Sequence, residues 1–270
     1  AGEYTNAINF IGITNPNPTY ITLDEATYMQ DNFSCTATKY GTVKSLIDNR
    51  DNQSYLVAKA NDGNCWMIEN LKIGKTLTES GDSITLTSVN SNVNDNYTLN
   101  FSDIPTDGKF HAYTIDGIEY QNNSNEFICR GGENDWDSCY YNWYTATAGA
   151  GTTYVSTGSV ETSICPVGWT LPTQPQFSAL YNQYPSAALM EVDNPTTTKN
   201  NSAGKIPGFL LSGYYATGGA GDLGSYGDYW SRTALDAQLA HRLFMSTSSV
   251  GPANYNRKYV GFSVRCLRSS

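Results

Sequence analysis

The sequence predicts a strand-rich α+β fold with long irregular loops, stabilised by disulfides. Short runs of Val, Ile, Tyr, Phe and Thr recur between clusters of Gly, Asn, Asp and Ser, the spacing of short strands and turns. Helical periodicity is confined to a few short segments. Six cysteines, an even number, stand in a chain of 270 residues. That length is enough to bury a substantial core.

The elements follow in order. Residues 1–34 are polar and are broken at Asn15-Pro-Asn-Pro18. Thr22-Leu-Asp-Glu25 has the pattern of a capping box, with Thr22 as N-cap and Glu25 at N3, and predicts a short helix through Met29. Val43–Ile47 and Ser54–Lys59 flank the polar turn Asp48-Asn-Arg-Asp-Asn52 and read as a hairpin. Cys65–Leu71 follows a second turn at Asp62-Gly63, and the Ser/Thr/Asn/Asp-rich stretch Leu77–Asp107 reads as exposed strands and loops. An acidic loop lies between Cys129 and Cys139, followed by the aromatic cluster Tyr140–Thr147, a strand or short helix, and a loop over Gly149–Gly158. Phe177, Leu180 and Tyr184 share one helical face, with Thr173 as N-cap. Phe209–Tyr215, Gly227–Arg232, Arg242–Ser246 and Phe262–Leu267 read as closing strands. No internal repeat is evident, so residues 1–34 are expected to pack on one domain spanning 35–270.

Charge and composition narrow the function classes. The formal net charge is −9, from 16 Lys and Arg against 25 Asp and Glu, so a nucleic-acid partner would be repelled. No apolar run approaches the length of a membrane-spanning segment. Charged residues are 15% of the chain and aromatics 13%, a balance unlike that of most cytosolic enzymes. No signal peptide is visible at Ala1, and a small first residue fits a processed secreted product.

The cysteines stand at 35, 65, 129, 139, 165 and 266, with no CxxC and only His111 and His241 as histidines, so disulfides in an oxidising compartment are expected rather than a zinc site. Six cysteines permit about fifteen pairings, and sequence alone does not choose among them. Joining nearest partners first gives Cys35–Cys65 and Cys129–Cys139 and leaves Cys165–Cys266. The last would close a loop of about a hundred residues, worth roughly 4–5 kcal/mol in the chain-entropy model.

Several motifs then point to a family. Asp48-Asn-Arg-Asp-Asn-Gln-Ser-Tyr55, Asp62-Gly-Asn-Cys-Trp-Met67, Glu69-Asn-Leu71, Cys165-Pro-Val-Gly-Trp-Thr-Leu-Pro-Thr173, Tyr229-Trp-Ser231 and Gly261-Phe-Ser-Val-Arg-Cys266 resemble the Fibrobacter succinogenes major paralogous domain, over about Val43 to Arg268. This resemblance implies a bacterial surface or secreted domain. The Gly-Trp-x-Leu-Pro-Thr and closing Val-Arg-Cys elements are also similar to those of the formylglycine-generating-enzyme type of C-type-lectin fold. That similarity implies paired terminal strands carrying a large loop region, hence a C-type-lectin-like fold. Variable proteins of diversity-generating retroelements use this fold and place their diversified residues just before the closing strand.

In this chain the corresponding window holds Tyr226, Asp228, Arg232, His241, Arg242, Phe244, Asn254, Tyr255, Asn256, Lys258 and Tyr259, which are the candidate ligand-binding residues. Tyr supplies large contact area at little rotamer cost, and Asn and Ser are adaptable hydrogen-bonders. Aromatics in strands also pack β cores, and Trp66, Trp169, Trp230, Phe262 and Val264 are expected there. Glu133, Asp135 and Asp137, beside Asn134, are a candidate calcium set. A solvated acidic loop is the competing reading, since no EF-hand spacing and no Glu-Pro-Asn or Gln-Pro-Asp sugar signature occurs. Neither histidine lies near a Gly-x-Ser-x-Gly elbow, and no phosphate-cradling loop is present. Six Asn-x-Ser/Thr triplets, at Asn32, Asn52, Asn96, Asn100, Asn122 and Asn200, are read as by-products of composition.

The expected function is therefore ligand binding without chemistry, by a secreted or surface-displayed protein that takes a protein or glycan on another cell or particle. An adhesin or appendage subunit and a carbohydrate-binding or carbohydrate-active module are the alternatives.

Overall fold

The computed structural model describes residues 27–31, 33–115, 118–121, 125–130, 138–150, 157–190 and 208–270. Its strands are β1 (Val43–Ile47), β2 (Ser54–Lys59), β3 (Cys65–Met67), β4 (Ser83–Leu86), β5 (Tyr97–Asn100), β6 (Ala112–Ile115), β7 (Ile118–Gln121), β8 (Phe127–Arg130) and β9 (Ser138–Tyr141). They continue with β10 (Gly158–Ser159), β11 (Tyr214–Ala216), β12 (Gly219–Gly221), β13 (Tyr226–Ala234), β14 (Leu239–Ser246), β15 (Val250–Arg257) and β16 (Leu267–Arg268). The helices are α1 (Ile73–Ser80), α2 (Trp143–Ala146), α3 (Gln174–Gln183) and α4 (Ala187–Met190).

Two four-stranded sheets organise the chain, in the orders β1-β2-β3-β16 and β10-β13-β14-β15. In the first, the β1–β2 hairpin pairs Val43 with Ala58 through Ile47 with Ser54. Its turn forms because Asn52 adopts a left-handed φ of 59° and Asp48 accepts hydrogen bonds from Arg50. Both side chains of this ion pair are fully buried, and Arg50 Nη1 also donates to the Ile164 carbonyl at 2.7 Å and to Ser91 at 2.9 Å. The turn is thereby fastened to the segment carrying Cys165. The last strand, β16, then pairs with β3, Leu267 opposite Trp66.

Disulfides join Cys35 to Cys65, Cys129 to Cys139 and Cys165 to Cys266. Cys65 begins β3 and Cys266 immediately precedes β16, so two of the three bonds staple the sheet where distant parts of the chain meet. Close by, the fully buried Arg265 donates to Asn70 Oδ1 and to the carbonyls of Met67 and Gly208, and lies over the rings of Phe209 and Tyr229. A buried guanidinium is tolerated because several of its donors find acceptors.

The second sheet separates two hydrophobic layers. Tyr229, Leu243 and Met245 pack with Phe177 and Leu180 of α3 and with Trp66, Phe209 and Leu211. The helix begins where expected: the Thr173 side chain accepts from the Gln176 N–H while Gln176 caps the Thr173 N–H. Trp230, Ala234 and Ala240 face the other way, into the larger core with Trp143, Trp169, Phe262 and Val264.

Four local expectations change. Tyr28 bridges to Ile47 and residues 29–31 form a turn, so no helix runs through Met29; residues 22–26 lie outside the described residues. The stretch expected to be strands and loops from Leu77 onward starts inside α1, which buries Ile73 and Leu77. Tyr140–Thr147 is both a strand and a helix, with Asn142 as the N-cap between them. Of the closing segment Phe262–Leu267, only Leu267 lies in a strand; residues 261–263 make isolated bridges.

Candidate functional site

The antiparallel register of β13, β14 and β15 decides which side chains share a face. Tyr226 lies opposite Ser246, Asp228 opposite Phe244 and Trp230 opposite Arg242, while Arg242 lies opposite Asn254 and Phe244 opposite Gly251. Opposed residues project to the same side. Tyr226, Asp228, Arg242, Phe244 and Asn254 therefore share a front face with Trp230. His241 and Tyr255 are paired with each other on the opposite side, the one that meets α3.

Trp230 is covered: its ring packs on Phe262 at 4.5 Å and its Nε1 donates to the Tyr141 carbonyl at 2.8 Å. Above it the face opens. The rings of Tyr226 and Phe244 approach to 5.2 Å and are tilted by 55°. Tyr226 is exposed, and so is Leu223 in the turn that delivers it. The Arg242 guanidinium lies over Phe244 at 5.2 Å and over Phe262 at 5.1 Å, and its Nη1 donates to Asp228 Oδ1. The Asp228 side chain is buried, and burial pushes its pKa up to about 7 although Arg242 opposes the shift.

Two glycines let the segment that leads into the β11–β12 hairpin run along the edge of β13, through a parallel bridge between Gly213 and Gly227. At Gly213, φ is 68° and a Cβ would stand 2.3 Å from the Gly221 carbonyl oxygen; at Gly227 it would stand 2.4 Å from that of Leu210. The Gly213 N–H donates to the Tyr226 carbonyl at 2.7 Å. Tyr214 from this hairpin meets Phe262 edge-on at 6.5 Å, and burial, then the Asp222 carboxylate, raises its pKa.

Asn256 lies opposite Ala240, on the front side, whereas Arg232, Lys258 and Tyr259 are placed elsewhere. Arg232 bonds Glu161 at 3.0 Å and the Val160 carbonyl, tying that segment to β13. Lys258 is buried, with its ammonium 4.4 Å from the centre of the Trp143 ring, and burial pushes its pKa down to about 8. Tyr259 belongs to the main core. These three hold scaffold together. Asn256 is half-buried and its Oδ1 accepts from the adjacent Arg257 N–H. Tyr214 and Leu223 were not among the candidates; their signal is the Gly-rich hairpin and turn that bring them beside Tyr226.

Glu133, Asp135 and Asp137 lie outside the described residues. Among the described residues no group of His, Cys, Asp and Glu is placed to hold a metal ion. His111 donates or accepts at 2.6 Å from Glu126 and lies 3.4 Å from Asp107, an arrangement that raises the His111 pKa through the Glu126 hydrogen bond. A separate polar cleft of about 930 Å³ is lined by Asp95, Asp103 and Glu161 with Asn94, Asn96 and Asn125, and holds none of the candidate residues.

Comparison with known proteins resolves the family. The profile of the Fibrobacter succinogenes major domain matches residues 61–268, most of the chain. The chain belongs to this family. The match starts after the β1–β2 hairpin, so the Asp48–Tyr55 motif falls outside it, whereas the motifs from Asp62 to Cys266 fall within. No curated protein and no solved structure matches the chain. Three disulfides, with no free cysteine among the described residues, fit an oxidising environment outside the cytoplasm. No helix among the described residues is long and apolar enough to cross a membrane.

Proposed function

We propose that this member of the family is a secreted or surface-displayed bacterial binding protein of C-type-lectin-like architecture that recognises a macromolecule through the front face of β13–β15, without chemistry. One observation carries the reading: Tyr226 stands exposed beside the half-buried Phe244 and a stacked Arg242, on a sheet whose opposite side packs Tyr229, Leu243 and Met245 into core. Rigid elements that display Tyr and Arg are the usual makings of a binding hot spot. The pairing of β3 with β16 supports the lectin-like architecture, since it closes the domain and leaves the intervening chain to form loops and the display sheet.

In its sharper form the reading makes the front face a site of retroelement-driven diversification. Sequencing the coding region for 208–270 across a population of the source bacterium, and across its paralogous copies, tests this. Substitutions should concentrate at Tyr226, Arg242, Phe244 and Asn254 and spare Trp230 and Phe262. Substitutions spread evenly between front-face and buried positions would count against it.

A further inference from the structure

The β1–β2 turn holds a second carboxylate besides the buried Asp48–Arg50 pair. Oδ1 of Asp51 accepts from the Gln53 N–H at 3.1 Å, whereas Oδ2 is buried and has no hydrogen-bond partner among the described residues. The charged groups that face Asp51 are Asp48 and Arg50 of the same turn, and the phenols of Tyr55 in β2 and Tyr141 in β9 lie near it. Neither phenol donates to it. Tyr55 Oη accepts from the Lys72 N–H at 2.9 Å, and Tyr141 Oη accepts from the Gly74 N–H and donates to the Leu71 carbonyl, both at 3.2 Å.

Arg50, the cation beside Asp51, is fully engaged elsewhere. Its Nε and Nη2 donate to Asp48, and its Nη1 donates to the Ile164 carbonyl at 2.7 Å and to Ser91 at 2.9 Å. Asp48 is satisfied in turn, because Gln30 Nε2 and the Arg50 N–H also donate to its Oδ1. A carboxylate oxygen that is shielded from solvent, lacks a donor and stands near a like charge favours a bound proton. Burial first, and then Asp48, push the Asp51 pKa up to about 6, with the Gln53 N–H and Arg50 opposing.

Once ionised, Asp51 competes with Asp48 for the guanidinium. Arg50 can turn toward it only by giving up the Nη1 bonds that fasten the turn to the segment carrying Cys165. We infer that the β1–β2 turn is a proton-operated latch, closed on that segment while Asp51 is protonated and loosened when Asp51 ionises. The latch belongs to the first sheet and does not depend on the front face of β13–β15 binding anything. The fold holds this proton more tightly than the unfolded chain does, so the stability it contributes is lost as pH rises from about 4 to about 6.

Urea denaturation of the native chain and of Asp51→Asn, at about pH 5 and about pH 8, tests the latch. The two proteins should unfold alike at the lower pH, and at the higher pH the native chain should have an unfolding constant about tenfold larger than the variant's. Asp228 titrates in both proteins, so their difference isolates Asp51. Hydrogen exchange on the native chain needs no substitution. The Asn92 amide, next to Ser91, donates to the Cys165 carbonyl at 2.9 Å, and its protection, corrected for intrinsic rates, should fall severalfold from the lower pH to the higher. In Asp51→Asn that protection should stay constant. A native chain no less stable than Asp51→Asn at the higher pH, or native Asn92 protection that does not change with pH, would each overturn the latch.

Discussion

The two faces of β13–β14–β15 are built from alternate residues of the same three strands, yet they meet different surroundings. On the helix side, Tyr229, Leu243 and Met245 are fully buried, and the Tyr229 hydroxyl is satisfied by the main chain of Leu210 at 2.6 Å. On the front side, Trp230 and Asp228 are covered; Tyr226 and Asn254 stand exposed, and Phe244 and Arg242 are half-buried. The helix-side residues gain stability from burial and cannot change shape without leaving a void. The exposed front residues Tyr226 and Asn254 have less buried surface to lose. The comparison predicts that substitution is better tolerated at the exposed front positions than on the helix side.

The clamp is the place to break this arrangement most severely. Replacing Cys165 and Cys266 together by Ser removes a link across 101 residues and should cost about 4–5 kcal/mol, read by urea denaturation against the native protein. Leu243→Ala opens the layer between the sheet and α3 and should cost about 3 kcal/mol by the same measurement.

Asp228 sharpens the comparison through pH, because it is the charge buried under the open face. Its folded pKa of about 7 stands above the unfolded 3.8, with burial as the first cause, Arg242 opposing and Asp222 adding to it. The fold thus holds this proton more tightly than the unfolded chain, and the residue's contribution to stability is lost as pH rises from about 4 to about 7. Denaturation series between those limits should show a flatter pH dependence in Asp228→Asn than in the native protein. An unchanged slope would mean that Asp228 ionises as an ordinary surface carboxylate. Smallest of all, Tyr226→Ala should shift stability by no more than about 0.5 kcal/mol.

Much of the scaffold is legible in the residues themselves. The β1–β2 hairpin shows because the polar turn Asp48–Asn52 separates two strand-like runs, and α3 shows because Phe177, Leu180 and Tyr184 fall on one helical face behind the N-cap Thr173. Helix α1 is hidden by its Thr and Ser content, since only Ile73 and Leu77 mark its buried side. β15 is hidden for a different reason: Gly251, Pro252, Asn254 and Asn256 are poor strand formers, and pairing with β14 imposes the conformation. The site was visible as a window but not as a face. Irregularities in the pairing after Trp230 and between Arg242 and Phe244 break simple alternation, so spacing alone could not assign His241 and Tyr255 to the helix side. Lys258 and Asp228 look like surface residues in sequence, and only the packing shows them buried.

The division of labour between the faces is tested most directly by a saturation substitution scan over β13–β15 in the displayed protein, with resistance to protease as the measure of folding. The account predicts that Tyr226, Phe244 and Asn254 accept nearly every residue, whereas Tyr229, Trp230 and Leu243 accept only close relatives of similar volume. Equal intolerance at Tyr226, Phe244 and Asn254 would contradict it, because the front face would then be structure rather than a surface carried by structure.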